Sequence, residues 1–213
     1  MINKKLYTYP LNIWLRNIYK YRIQRVNIIR YFYIITVFYL WDTRISICTF
    51  LINLVLYTLF SILMIIDIEN KIILFPLNVL GLIIGFYYGI MTNGFHTTVF
   101  GGVTGMGIFL GIFFLGILAK WLIKFFFTLE LKGEPIGFGD VILACTIGLV
   151  VGWPIILNSL LITIVISGLI SSIIILFSWL LNRYQKFYSI AYSPYLITGA
   201  IITLNYQSIL SKI

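Results

Sequence analysis

Asp67 and Asp140 are the residues of this chain best placed to do chemistry. Asp67 closes a long apolar run in MIIDIENK, and Asp140 ends GEPIGFGD, residues 133–140, and opens another such run. A carboxylate held at bilayer depth is costly if it stays ionised, so it needs a partner, water or a proton. Two carboxyls close enough to share one proton titrate apart. One can then be ionised and draw a proton from water while the other donates to a carbonyl oxygen under attack. That is hydrolysis by an acid–base pair. Helix ends suggest a division of labour: Asp140, at the positive start of a helix, suits the base, and Asp67, at the negative end of another, suits the acid. Gly137 and Gly139 fit this scheme, because glycine reaches positive φ and lets a peptide approach closely. Glu69 and Glu134 flank the pair and would attract a basic substrate segment, unless they are simply solvated. The plain alternative is that both aspartates merely mark helix ends at the interface.

The elements that must position these acids are set by composition. The 213 residues are 61% hydrophobic and 10% charged, with a mean hydropathy of +1.05, far outside the soluble range. The chain is therefore expected to be an all-α, polytopic membrane helix bundle, with room for about seven crossings and little else. Its net charge of +9 is read as topogenic, since basic residues are held on the cytoplasmic side, and not as a nucleic-acid footprint. Cys48 and Cys145 form no CxxC and lie in apolar runs, so buried thiols are expected and no metal site.

Residues 1–27 hold Lys4, Lys5, Arg16, Lys20, Arg22 and Arg25 without an acid, interleaved with Tyr, Ile, Leu and Trp. They read as a basic segment lying on the membrane surface. Residues 28–213 form the membrane domain. Apolar runs are expected at about 28–41, 46–66, 72–91, 97–119 and 190–209, and the uncharged stretch 141–181 is long enough for two more crossings. Its turn is placed at Gly152, Trp153 and Pro154, because Pro starts a helix well and Trp favours the interface, with Asn158 and Ser159 as the alternative. The helix after Asp140 then has about 13 residues, or roughly 20 Å. With a cytoplasmic N-terminus, all of the 15 Lys and Arg except Arg44 and Lys212 fall on the cytoplasmic side, as do Asp67 and Asp140. His96 falls in a loop on the far side and is excluded from the site. Gly101, Gly105, Gly107 and Gly111 make small-xxx-small pairs, which normally mean close helix packing.

The segments GFGDVILACTIGLVVGWP and IDIENKIILFPLNVLGLIIG resemble the bacterial type IV prepilin peptidase family of GxGD membrane aspartic proteases. IAYSPYLITGAIITL is similar to that family's last helix, with Ser193 and Pro194 where a Gly-Pro is usual. The resemblance covers roughly residues 28–209. It implies a multi-pass protein of the plasma (inner) membrane that cleaves basic leaders from pilin-like precursors on the cytoplasmic side, without a cofactor. The family's catalytic pair maps onto Asp67 and Asp140, and its motif glycines onto Gly137 and Gly139. Ile142 stands where members usually carry Lys. The stretch 10–31 resembles the worn end of the family's cytoplasmic domain, keeping Trp14, Leu15, Arg30 and Tyr31, with no paired cysteines, and residues 32–36 hold no acid. Methyl transfer to the new terminus is therefore not expected.

Readings from another class remain beside this one: a catalytically inactive relative, or a small membrane scaffold or transporter using its acids for protons or cations. A transporter would need a polar path across the bilayer, and the membrane interiors hold almost no ionisable residue for one.

Overall fold

The computed structural model describes residues 47–71, 73–127, 137–180 and 191–210. The expected basic segment 1–27, the first apolar run at 28–41 and Glu134 lie outside them. Every element described is an α-helix: α1 Ile47–Asn70, α2 Phe75–Asn93, α3 Phe95–Phe127, α4 Phe138–Val151, α5 Ile156–Leu180 and α6 Ser193–Leu210. Successive helices run up and down.

The short connections are written in the residues that make them. Lys71, with φ of 53°, ends α1 as its N–H donates to the Asp67 carbonyl at 2.7 Å. Pro76 then sits in the first turn of α2, where its missing N–H costs nothing. At the opposite end Gly94 (φ 85°) and Gly152 (φ 78°) close α2 and α4 in the left-handed region that glycine enters freely. The turn between α4 and α5 thus falls at Gly152, Trp153 and Pro154, where the sequence places it. Asn93 ties the two turns together: its Nδ2 donates to the Val150 carbonyl at 2.9 Å, and the Trp153 N–H donates to the Thr97 carbonyl at 2.9 Å.

Helix α4 is the axis of the bundle and packs against α2, α3, α5 and α6. Its Val141, Leu143, Ala144, Ile147 and Val150 are fully buried, and they share one core with Leu56, Phe60 and Leu63 of α1 and Leu196, Ile197 and Ala200 of α6. Lipid is as apolar as leucine, so close backbone approach must supply much of the packing. Glycine provides it. A β-carbon on Gly101 would overlap the Gly148 carbonyl oxygen, one on Gly105 that of Ala144, and one on Gly89 that of Leu149. Among the described residues the expectation of close packing holds for Gly101 and Gly105 but not for Gly107 and Gly111, whose β-carbons would meet nothing within 4 Å. Two residues along a helix turn about 200°, so the second pair faces away from α4.

Four helices, α1, α2, α3 and α5, are long and apolar enough to cross a bilayer. The 14-residue α4 is shorter, about 21 Å at 1.5 Å per residue. Helix α6, with Asn205 and Gln207 in its last turns, is more polar. Large apolar side chains cover the outside, among them Leu115, Phe126 and Leu161. Such a surface suits hydrocarbon and not water. Helix α3 is longer than expected: it continues through Lys120 and Lys124 to Phe127.

Candidate active site

Four helix ends converge at one end of the bundle: the end of α1 and the beginnings of α2, α4 and α6. Asp67 stands three residues before the end of α1 and is 5% exposed. Its Oδ2 accepts the backbone N–H of Ser193 at 3.0 Å, in a buried hydrogen bond that joins residues 126 positions apart. Ser193 is the first residue of α6, so the positive N-terminal end of that helix meets Asp67 through this N–H.

Asp140 is the third residue of α4 and is 8% exposed. Its Oδ2 accepts the Gly137 N–H at 3.2 Å while its own N–H donates to the Gly137 carbonyl at 3.0 Å. This local loop turns the carboxylate back over the helix end. The glycines do not act here through positive φ. Gly137 caps α4 in extended backbone at φ −77°, and Gly139 is already helical. Gly139 is required by proximity instead, since a β-carbon there would lie 2.8 Å from Cβ of Ile73 in the α1–α2 connection.

The two carboxylates are near enough to interact electrostatically. Remote in the chain, they arrive at one place. Among the described residues, Oδ1 of Asp140, Oδ1 of Asn78 and Oγ of Ser193 are all buried without a hydrogen-bond partner, so the junction has acceptor capacity left over for water or substrate. Both acids face a helix N-terminus, Asp140 its own and Asp67 that of α6, so helix ends do not by themselves separate the base from the acid.

Three residues at this junction are not among the site candidates that the sequence points to. Asn78, fully buried in the first turns of α2, donates from Nδ2 to the Gly139 carbonyl at 2.8 Å. Ser193 supplies the N–H on Asp67. Tyr192 lies near Ser167 of α5 and within reach of the charge on Asp140, and packs its ring 5.9 Å from that of Phe109. Phe113, one turn further along α3, packs 6.2 Å from Phe138 at the start of α4. One signal was available for Asn78: an amide inside an apolar helix must find a bond when buried.

Of the remaining candidates, Glu69 belongs to the last turn of α1, two positions after Asp67 in the chain. His96 is exposed near the start of α3, at the other end of the bundle. Ile142 is half-buried on α4, and Cys145 is a free thiol.

No curated protein and no solved structure matches the chain. A family model does match, over residues 54–173, described as the type IV leader peptidase family. The match runs from α1 into α5 and takes in Asp67, Gly137, Gly139 and Asp140 but stops short of Ser193. Spanning more than half of the 213 residues and both buried aspartates, it establishes that the chain belongs to the type IV leader peptidase family.

Proposed function

We propose that this protein is a membrane-embedded aspartic endopeptidase that removes basic leaders from pilin-like precursors, with Asp67 and Asp140 as its catalytic pair. The observation that carries the reading is the meeting of two buried carboxylates, 73 positions apart by their residue numbers, at one end of an apolar bundle. A water between them attacks the scissile carbonyl carbon. Its proton passes to the ionised carboxylate while the protonated partner gives its own to the carbonyl oxygen, forming a tetrahedral diol. Collapse of the diol breaks the C–N bond. The departing amine takes the proton the pair holds, and a diol hydroxyl gives its own to the pair as the carboxyl product forms, so the pair returns to one shared proton.

The positive-inside count supports a cytoplasmic N-terminus, a site on the cytoplasmic side of the plasma membrane and about seven crossings in the full chain. Glu69 and Glu134 would draw the basic leader toward the pair by charge.

The test incubates the purified protein in detergent with a precursor carrying a basic leader and follows the shortened product by mass spectrometry. Cleavage by the wild type and its loss, by about 1,000-fold or more, in both Asp67→Asn and Asp140→Asn is the expected result, since the two act as a unit. Processing retained in either single variant would remove the assignment. An intact precursor with the wild type would favour the inactive relative.

A further inference from the structure

Helix α2 presents one buried face, made of Asn78, Gly81, Gly85 and Gly89. These positions, three or four apart, stack along one side of a helix. Three of them are glycines, which let α4 come close. The fourth is a side chain that reaches across, and it ends on the residue that precedes Asp140.

The Asn78 Nδ2 donates to the Gly139 carbonyl at 2.8 Å. The next N–H in the chain, that of Asp140, donates to the Gly137 carbonyl at 3.0 Å. Both polar ends of the Gly139–Asp140 peptide unit are therefore held, one from α2 and one from the turn. A planar peptide held at both ends sets the direction in which Asp140 projects its side chain. Ile73 blocks the remaining freedom by packing where a β-carbon of Gly139 would be. Asn78 is fully buried, and among the described residues its Oδ1 has no partner. The bond its side chain makes there is the bond to Gly139, whose carbonyl needs no such bond to continue the helix.

We infer that Asn78 is a positioning residue for Asp140: through the Gly139 carbonyl it holds the peptide that aims this carboxylate at Asp67. The role rests on the proposed peptidase reading only for its consequence in catalysis. The restraint itself can be measured without turnover. Asn78→Leu keeps the side chain's size and removes the donor. Asn78→Ser leaves a polar group too short to reach Gly139, and decides the matter if leucine impairs folding.

The experiment compares both variants with the wild type, as full-length protein in detergent, by cleavage kinetics and by amide hydrogen exchange read by mass spectrometry. With Asn78 absent, kcat should fall about 10- to 100-fold, the scale of a misplaced catalytic group, while KM stays within about twofold. Exchange in residues 137–142 should accelerate about tenfold or more, with the α2–α3 turn near Asn93 unchanged. Unaltered exchange at residues 137–142 would overturn the inference, as would a loss confined to KM. Failure of both variants to fold would also overturn it, by making Asn78 a determinant of the whole bundle. If the wild type cleaves nothing, the peptidase reading fails, and the exchange comparison still decides the role of Asn78.

Discussion

Replacing Ser193 with proline should disable the protein far more than replacing it with alanine or glycine, although serine looks like the functional side chain. Asp67 is held by the backbone N–H of Ser193 at 3.0 Å, whereas the Ser193 hydroxyl is buried without a partner among the described residues. Proline removes the N–H and is well tolerated at the first position of a helix. Its effect should therefore concentrate on Asp67. A hydrogen bond to a charged group contributes about 1.5–3 kcal/mol, and this one is buried. At about 1.4 kcal/mol per tenfold, its loss corresponds to roughly 10- to 150-fold in whatever depends on the orientation of Asp67. Ser193→Ala and Ser193→Gly keep the N–H and discard an unbonded hydroxyl, so their cleavage should stay within about threefold of wild type, with thermal stability unchanged or slightly raised. The assay is precursor cleavage at fixed enzyme concentration, with thermal unfolding in detergent run alongside. Equal losses in the alanine and proline variants would refute the reasoning, because they would place the function in the hydroxyl. So would a proline variant that cleaves like the wild type.

Two further substitutions test the packing around the site. Gly139→Ala places a carbon 2.8 Å from Cβ of Ile73, an atom too close to the backbone to swing away; unfolding should cost about 1–3 kcal/mol less than in wild type, and a fully stable variant would contradict the close approach. Gly101→Ala should destabilise the bundle by at least as much, since the new carbon overlaps the Gly148 carbonyl oxygen, whereas Gly107→Ala and Gly111→Ala, facing open space, should change the unfolding temperature little. Identical behaviour of Gly101→Ala and Gly107→Ala would show that α3 does not pack on α4 through the face described.

What could be read from sequence followed from cost. An acid beside an apolar run is expensive enough to be noticed, and so Asp67 and Asp140 stood out. The turn at Gly152–Pro154 was equally visible, because glycine and proline have few other reasons to sit together inside an uncharged stretch. The length of α3 was hidden because Lys120 and Lys124 looked like a stop, yet lysine on a helix can carry its charge to water along a flexible stem while the helix continues. The small-xxx-small pattern in α3 was ambiguous for a geometric reason: Gly101/Gly105 and Gly107/Gly111 have the same spacing, and spacing cannot say which face meets a neighbour. Ser193 was out of reach altogether. It acts through its backbone N–H, which every residue except proline possesses, and only the approach of α6 to α1 gives that group a role.

The unequal helix lengths bear on the membrane itself. Phe113 and Ser167 lie level with the carboxylates through their contacts with Phe138 and Tyr192. Beyond them α3 and α5 each continue for about 20 Å at 1.5 Å per residue, through Trp121 and Trp179, which are 60% and 67% exposed. Meanwhile exposed Asn70 and Lys71 cap α1 down at the floor, beside Asp67. Tall greasy columns demand hydrocarbon at a height where, a short distance sideways, a charged corner demands water. Lys120 and Lys124 reach water from the same stretch of α3 along their flexible stems, and a bilayer surface that dipped toward the α1–α2 corner would satisfy the apolar columns and the charged corner together. That dimple would carry solvent down to the two acids and give a hydrophilic leader a way to reach them without crossing oil.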